Sequence, residues 1–451
     1  MAGGSDFAER LHTAAAAACA RLEASPAARW EVFAKASFRR GVEVARGRPL
    51  AVVEVEETGL AVRTRRLECS GFAAASGLEE DAARRAIEAA LATAAPCAID
   101  PLPPARALGS TEVHGARPLP AKGWATHAGQ ELERAVASRA GGRLRLKRSV
   151  FEEGAFGWLL TTAEGWVARH EDSSSALLAE VEVIGDRAGV WRDWIHIPEP
   201  EAFDLEAAAE QITDRAALIS HRVTTDDGLR DLILHPEVAA QVLAAVAPLF
   251  LAVPEEHDIL PQLLDRDGRL ASAALTLVDD RSDRRAPVSG PCDGEGLPAR
   301  RTLLLEQGIP RHRLASWRDA ARCALPVRGG ALRLSYRDYP ATGLANLAVD
   351  VSAGVGAGSL LGSADRALYL LRPLAAVELG PDPDTYRIVA SGVWLDGRDV
   401  RGWHPVVELR GSLGRLLRRI EAVGTDLRWF QTGRGFVGTP SLLVRRQRVV
   451  G

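Results

Sequence analysis

At 451 residues the chain has room for two or three domains. Hydrophobic residues make up 47% and charged residues 25%, with a net charge of −3. That balance fits a soluble globular protein and gives no electrostatic ground for binding nucleic acid, which rests on a basic surface that neutralises phosphates. The five cysteines, Cys19, Cys69, Cys97, Cys292 and Cys323, are widely spaced and form no Cys-x-x-Cys. They argue against a disulfide framework or a thiolate metal site and for a reducing compartment. No apolar run approaches the roughly 20 residues of a membrane span, and the N-terminus carries no apolar signal core, so a cytoplasmic protein is expected.

Helical periodicity begins at Phe7–Glu23. Strands are expected at 31–37, 41–45, 50–56, 59–64 and 69–75, followed by a helix over Leu78–Ala95. Pro96–Pro120, rich in Pro, Gly and Ala, reads as a linker. A helix at Trp124–Ala140 precedes strands at 143–155, 156–162, 166–170 and 175–184, and a segment at 188–197. Asp204 is placed to cap a helix at Leu205–Ser220. After a turn at Asp226-Asp227-Gly228 and a strand at 230–234 comes Pro236–Phe250. Pro236 suits a first helical position, and Val238, Val242 and Val246 share one apolar stripe. The remainder reads as short strands, among them 274–278, 301–306, 333–336, 347–351, 366–371, 375–379, 386–395, 406–409 and 441–444, with a late helix at 413–423. The fold class expected is α+β: N-terminal domains of helices on mixed or antiparallel sheet, then a β-rich C-terminal domain. The boundaries expected are 1–100, 101–228 and 229–451.

Zinc hydrolysis needs imidazoles brought together, most simply two His one helical turn apart with a Glu beside the metal-bound water. None of the ten histidines has that spacing. The single His-Glu pair, His170-Glu171-Asp172, precedes three serines and reads as a surface loop. No Gly-x-Ser-x-Gly elbow occurs, and Cys292 lies among acids that would not lower a thiol pKa. The acidic segment Asp279, Asp280, Asp293, Glu295 and Arg300 has two readings. Its paired carboxylates suit a cation. The same residues also suit a sharp loop held by backbone N–H groups and Arg300, and the turn reading is preferred.

In order, Pro236-Glu237-Val-Ala-Ala, Leu275-Thr-Leu-Val-Asp-Asp280, Asp293-Gly-Glu-Gly-Leu-Pro298, Arg301–Gly308, Ala345-Asn346-Leu, Ala390–Gly397, Ile420–Leu427 and Thr439-Pro-Ser-Leu-Leu443 resemble the TldD/PmbA family. More specifically they resemble its PmbA (TldE) branch. Fainter matches at Thr58-Gly-Leu-Ala-Val-Arg63 and Gly71–Ser76 extend the resemblance toward the N-terminus. The resemblance implies a two-partner system. One branch carries a His-Glu-x-x-x-His helix and a C-terminal Cys as a zinc site; the other lacks them and joins the first as a heterodimer. The pair processes or degrades small unfolded peptides, including precursors of ribosomally made natural products. Carried onto this chain, the zinc-motif positions fall at Ala244, Ala245 and Leu249, and 433–440 has no Cys. No catalytic residue, metal ligand or cofactor is therefore expected in this chain, and zinc is expected in a TldD-type partner. Asp279, Asp280, Asp293, Glu295, Arg300 and Asn346 remain as peptide-contact or loop residues. The alternatives are a peptide-binding or assembly scaffold that acts without such a partner, and a relocated active site at the acidic loop with His312.

Overall fold

The computed structural model describes residues 5–97, 99, 101–109, 120–121, 123–184, 189–219, 222–223, 227–363, 366–397, 399–433 and 435–450. Much of the linker expected over 96–120, and Asp226 of the expected turn, lie outside the described residues.

The first half opens with α1 (Ser5–Glu23), β1 (Arg29–Ala45), β2 (Arg48–Arg66), β3 (Cys69–Ser76), α2 (Glu80–Ala92) and β4 (Ala95–Pro96). Then come α3 (Trp124–Ala140), β5 (Leu144–Thr162), β6 (Val167–Val183), β7 (Gly189–Ile197) and α4 (Leu205–Ala217). All seven strands form one sheet in the order β4-β3-β2-β1-β5-β6-β7, antiparallel throughout. The boundary expected near residue 100 falls inside this sheet, because β1 pairs with β5 from Glu31 to Val44.

The strands are longer than alternation suggested. Arg39, Arg40 and Gly41 interrupt the apolar pattern of β1, yet the ladder to both neighbours runs through them. Side chains set the pattern and backbone hydrogen bonds set the strand, so a polar interval need not end it. The same reasoning corrects His170-Glu171-Asp172. These residues lie within β6, paired with Trp158, Gly157 and Phe156, and His170 and Asp172 are buried. At the β1–β2 turn, Arg46 and Gly47 both have positive φ, 51° and 67°, as a tight hairpin requires.

One face of β1 carries Trp30, Val32, Ala34 and Ala36 into a core with α1 and α2. Further along, Val42 and Val44 of the same face enter a second core under α3. The two helix pairs thus lie end to end on one side of the sheet; the second half of the chain joins the α3–α4 core through Ile233, Ala367 and Leu443 and meets the opposite face at Phe33 through Tyr336.

That half contains β8 (Gly228–Leu234), α5 (Pro236–Val246), α6 (Leu260–Leu263), β9 (Leu277–Asp280), β10 (Arg301–Glu306), β11 (Ile309–Pro310) and α7 (Trp317–Arg322). Next are β12 (Ala331–Leu332), β13 (Ala341–Thr342), β14 (Asn346–Val349), α8 (Ala357–Gly362), β15 (Arg366–Pro373), β16 (Glu378–Leu379), β17 (Thr385–Asp396) and β18 (Asp399–Ser412). Last are α9 (Leu413–Arg418), β19 (Ile420–Val423), β20 (Arg428–Thr432), β21 (Gly435–Thr439) and β22 (Leu442–Val450). One sheet has the order β11-β10-β9-β14-β21-β20, a second is β15-β8-β22-β18-β17-β16 with β19 also on β22, and β12 and β13 form a two-stranded antiparallel sheet. Two differences from the sequence expectation stand out. The late helix stops at Arg418 and its last residues form β19, and 333–336 is a turn rather than a strand. The whole is α+β.

α5 packs at the centre of this half. His235 caps it, its Nδ1 accepting from the Glu237 amide at 3.2 Å, and Pro236 takes the first position. Val238, Val242, Leu243 and Val246 are buried, each worth on the order of 1.5–3 kcal/mol in burial. Pro248 has no N–H to give the carbonyl four residues back, so the α-helix yields to a 3-10 turn over Ala247–Phe250.

Candidate functional site

Ala244 and Ala245 occupy the last turn of α5 and Leu249 the 3-10 turn after it. Ala244 and Leu249 are buried in the apolar core of the C-terminal half. Methyl and isobutyl groups have no lone pair for a metal and no proton to move. Among the described residues no three His, Cys, Asp or Glu side chains are grouped so as to hold a metal ion.

The acidic segment does not form one cluster. Asp279 and Asp280 end β9, where Asp279 accepts from the Asn346 amide at 2.7 Å and Asp280 from the Ser282 amide at 2.8 Å. Burial pushes Asp279 up to about 6. Asn346 is fully buried; its Nδ2 donates to the Asp280 carbonyl at 2.7 Å and its Oδ1 accepts from the Val288 amide at 3.1 Å. It therefore ties down both ends of the 280–288 loop. Asp293 accepts four backbone N–H groups, from Glu295, Leu297, Gly330 and Ala331, at 2.9–3.0 Å. A carboxylate so engaged shapes a loop. Arg300 is exposed and takes no part in holding it. Cys292 is buried, which pushes its thiol well above the ordinary range, so it is no nucleophile.

Glu295 points the other way, toward the first half of the chain. Its Oε1 accepts from Arg63 of β2 at 3.0 Å and its Oε2 from the Trp317 amide at 2.7 Å. Arg63 also holds both oxygens of Glu31 on β1, and Arg333 donates to Glu31 at 2.7 Å. All four side chains are buried. Burial alone would raise Glu31, but Arg63 and Arg333 outweigh it and hold the carboxyl below its ordinary value. Burial pushes Glu295 up to about 7 against the pull of Arg63. Beside this cluster Tyr336 stacks close to Gly59, where a Cβ would fall inside its ring, and its hydroxyl meets Ser76 Oγ at 2.8 Å. Glu31, Arg333 and Tyr336 escaped the sequence reading. Arg63 did not wholly escape it: Thr58–Arg63 was a faint family match, and its last residue meets Glu295 from the stronger one.

A second buried polar group lies at the N-terminal end of α5. Asp193 of β7 accepts from Arg215 of α4 at 2.7 Å and from Arg428 of β20 at 3.0 Å. Glu237 is pushed up to about 7 by burial and by Asp193. His235 is held well below its ordinary value by burial, then by Arg215 and Arg428. Nothing in local sequence brings these residues together.

Between the two halves is a cleft of about 730 Å³. One wall is the open face of β1, β2, β5, β6 and β7; the other is formed by the segments around Arg281, Val288 and 332–336, with Gln431 and Phe436. Phe156, Trp158, Trp194 and Tyr336 line it with aromatic surface. None of the acidic-segment candidates lines it.

Residues 228–451 match a family model described as the PmbA/TldA metallopeptidase C-terminal domain. Residues 228–451 belong to the TldD/PmbA family. Over the whole chain the fold matches TldE from Thermococcus kodakarensis, with a TM-score of 0.82 at 16% identity, covering 96% of this chain and 98% of that one. It also matches a proposed modulator of a DNA gyrase from Thermotoga maritima MSB8, TM-score 0.75 at 16% identity, with 99% of each chain covered. A further match is a proposed modulator of DNA gyrase from Bacteroides thetaiotaomicron VPI-5482, TM-score 0.76 at 14% identity, again over 99% of each. No curated protein matches by sequence. At these identities the structural likenesses speak for the fold alone, and the family assignment rests with the C-terminal half. The TldD/PmbA domain begins at Gly228, the first residue of β8, so α5 and the acidic segment both lie within it.

Proposed function

We propose that this chain is a non-catalytic, TldE/PmbA-like subunit of a two-chain zinc peptidase that trims or degrades small unfolded peptides. The observation that carries the reading is α5. At the positions where the other branch of the family places His, Glu and His, this helix puts Ala244, Ala245 and Leu249, two of them packed in the core. The chemistry then belongs to a TldD-type partner in the cytoplasm, and this chain contributes structure and peptide contacts.

Two features support a partner and a peptide. From Arg48 to Thr58, β2 pairs only with β1; β3 joins its other edge at Gly59. Leu50, Val52, Val53 and Val55 are 45–63% exposed along that free edge. Exposed apolar strand edges are interaction surfaces. The aromatic-lined cleft of about 730 Å³ beside the open sheet face is the second feature.

The test is to purify the chain alone and with a TldD-type chain, then measure bound zinc and cleavage of an unfolded peptide. The expected result is zinc and turnover only in the mixture. Stoichiometric zinc or turnover by the chain alone sinks the proposal. Peptide binding with no association to any such partner would favour the scaffold reading.

A further inference from the structure

The cleft has one strongly marked end. Three cations meet there on the four residues 331–334. Arg281 donates from Nη2 to the Ala331 carbonyl at 3.3 Å, Lys35 of β1 donates to the Leu334 carbonyl, and Arg333 lies between them in sequence. All three line the cleft. Lys35 and Arg281 are half-buried, and each spends its hydrogen bond on a backbone carbonyl rather than on a carboxylate. Arg333 is buried, with Cζ 4.5 Å from the centre of the Phe33 ring. One of its nitrogens binds Glu31, and among the described residues Nε and Nη1 have no acceptor.

The acids nearby are already engaged. Glu31 is shared by Arg63 and Arg333. Glu57 pairs with Arg337, and Asp338 accepts from the amides of Leu334 and Ser335. Asp172 accepts from the Ser173 amide and from Ser289 Oγ. Arg333, buried with Nε and Nη1 lacking an acceptor among the described residues, is costly unless an anion completes it, and Lys35 and Arg281 are met only by neutral carbonyls. Next to them are flat apolar surfaces: Lys35 lies over Phe156, 5.6 Å from its centre, and Trp158 and Tyr336 flank the same end. The geometry therefore suits a carboxylate attached to an apolar or aromatic body.

We propose that this end of the cleft is a subsite for the C-terminal carboxylate of a bound peptide. Lys35 and Arg281 contact the carboxylate, and Arg333 supplies the charge beneath them. The preferred peptide ends in an aromatic or large apolar residue that lies on Phe156 and Trp158. The proposal rests on the reading of the cleft as a peptide site and adds which end of the peptide is recognised, and by what.

The experiment is calorimetric titration of the full-length chain with a short unstructured peptide ending in Phe, as the free acid and as the C-terminal amide. The acid is expected to bind ~10-fold more tightly, the ratio of a charge-assisted contact over a neutral one. Lys35→Gln with Arg281→Gln is expected to bring the acid down to the affinity of the amide and leave the amide unchanged. Inorganic phosphate alone is the third arm. Equal binding of acid and amide by the unaltered chain overturns the carboxylate subsite and leaves the cleft as a peptide site. No binding of either peptide overturns both. Phosphate binding more tightly than the acid peptide also overturns it, in favour of a free-anion site. The acid–amide comparison needs no variant, so misfolding of the double substitution leaves it decisive.

Discussion

Arg63 and Glu295 meet at 3.0 Å across 232 residues of sequence, both fully buried. This one contact joins β2 of the first sheet to the acidic loop of the second half, and Glu31 and Arg333 complete it. Breaking such a group leaves uncompensated charge inside the protein, which costs more than the pair contributes when whole. Arg63→Met is expected to destabilise the chain by ~3–5 kcal/mol in urea unfolding. A loss under about 1 kcal/mol would show that Glu31 and Glu295 find other partners.

Asp293 leads to a second prediction. Its four accepted N–H groups make it a knot for the 293–297 and 330–331 segments. Asp293→Ala is expected to cost ~2–4 kcal/mol, since several buried donors lose their acceptor at once. Arg300→Ala, exposed at the end of the same loop, is expected to stay within about 0.5 kcal/mol. Differential scanning calorimetry on the two variants separates them. If Asp293→Ala melts like the parent but fails to bind peptide, the loop reading is wrong and a binding role replaces it.

Glu237 sets a pH dependence. Its carboxyl has an ordinary value of 4.5 and sits at about 7 in the folded chain. The folded state therefore holds a proton that the unfolded state has released across that interval, and stability from this group falls as pH rises from about 4.5 to about 7. His235 acts in the opposite sense: its folded value lies below 6.5, so its contribution grows as pH rises toward 6.5. Glu237→Gln is expected to gain no more than about 1 kcal/mol on the parent near about pH 5 and about 3 kcal/mol near about pH 8. Urea midpoints at the two pH values check this, and an equal shift at both would place the effect in packing.

The zinc-motif positions give a fourth. Writing Ala244→His, Ala245→Glu and Leu249→His into one chain buries polar groups where α5 offers only apolar neighbours. Imidazoles that bind a metal also need an acceptor for their other ring N–H, and the neighbours of Ala244 and Leu249 in this core are apolar. The variant is expected to lose at least about 3 kcal/mol and to bind no stoichiometric zinc in metal analysis. A stable, zinc-loaded product would mean that the site was lost recently and that its surroundings survive.

The free edge of β2 gives a fifth. Leu50 and Val52 are exposed on that edge and do not line the cleft, so Leu50→Lys with Val52→Lys is expected to leave folding within about 1 kcal/mol. It is also expected to weaken association with a TldD-type partner by ~10-fold or more in light scattering or titration. Unchanged association would move the interface elsewhere.

What was legible in the sequence follows a physical line. Trp124–Ala140, Arg301–Glu306 and the Asp204 cap were readable because periodicity and capping are local properties of the chain. β1, β5 and β6 were cut into pieces because their continuity lies in ladders to distant neighbours, and polar residues such as Arg39 hid it. In the acidic loop, Asp293 accepts backbone N–H groups close by in sequence, a contact that a Gly- and Asp-rich turn makes legible. The arginine beside the loop in sequence is Arg300, whereas the one that meets Glu295 in space is Arg63, which no local pattern indicates. The Asp193–Arg215–Arg428 group and the Lys35–Arg281–Arg333 end of the cleft draw on three separate stretches each, and no local pattern foretells such convergence.

β22, Leu442–Val450, is flanked in its sheet by β8 on one side and by β18 and β19 on the other. β8, with Gly228, is the first strand of this half, so the sheet must stay open on the ribosome until its last strand is synthesised. Its earlier strands wait meanwhile with unsatisfied edges, a window in which chaperones or a waiting partner chain compete with aggregation. Truncation before Leu442 would remove the sheet's keystone rather than a tail.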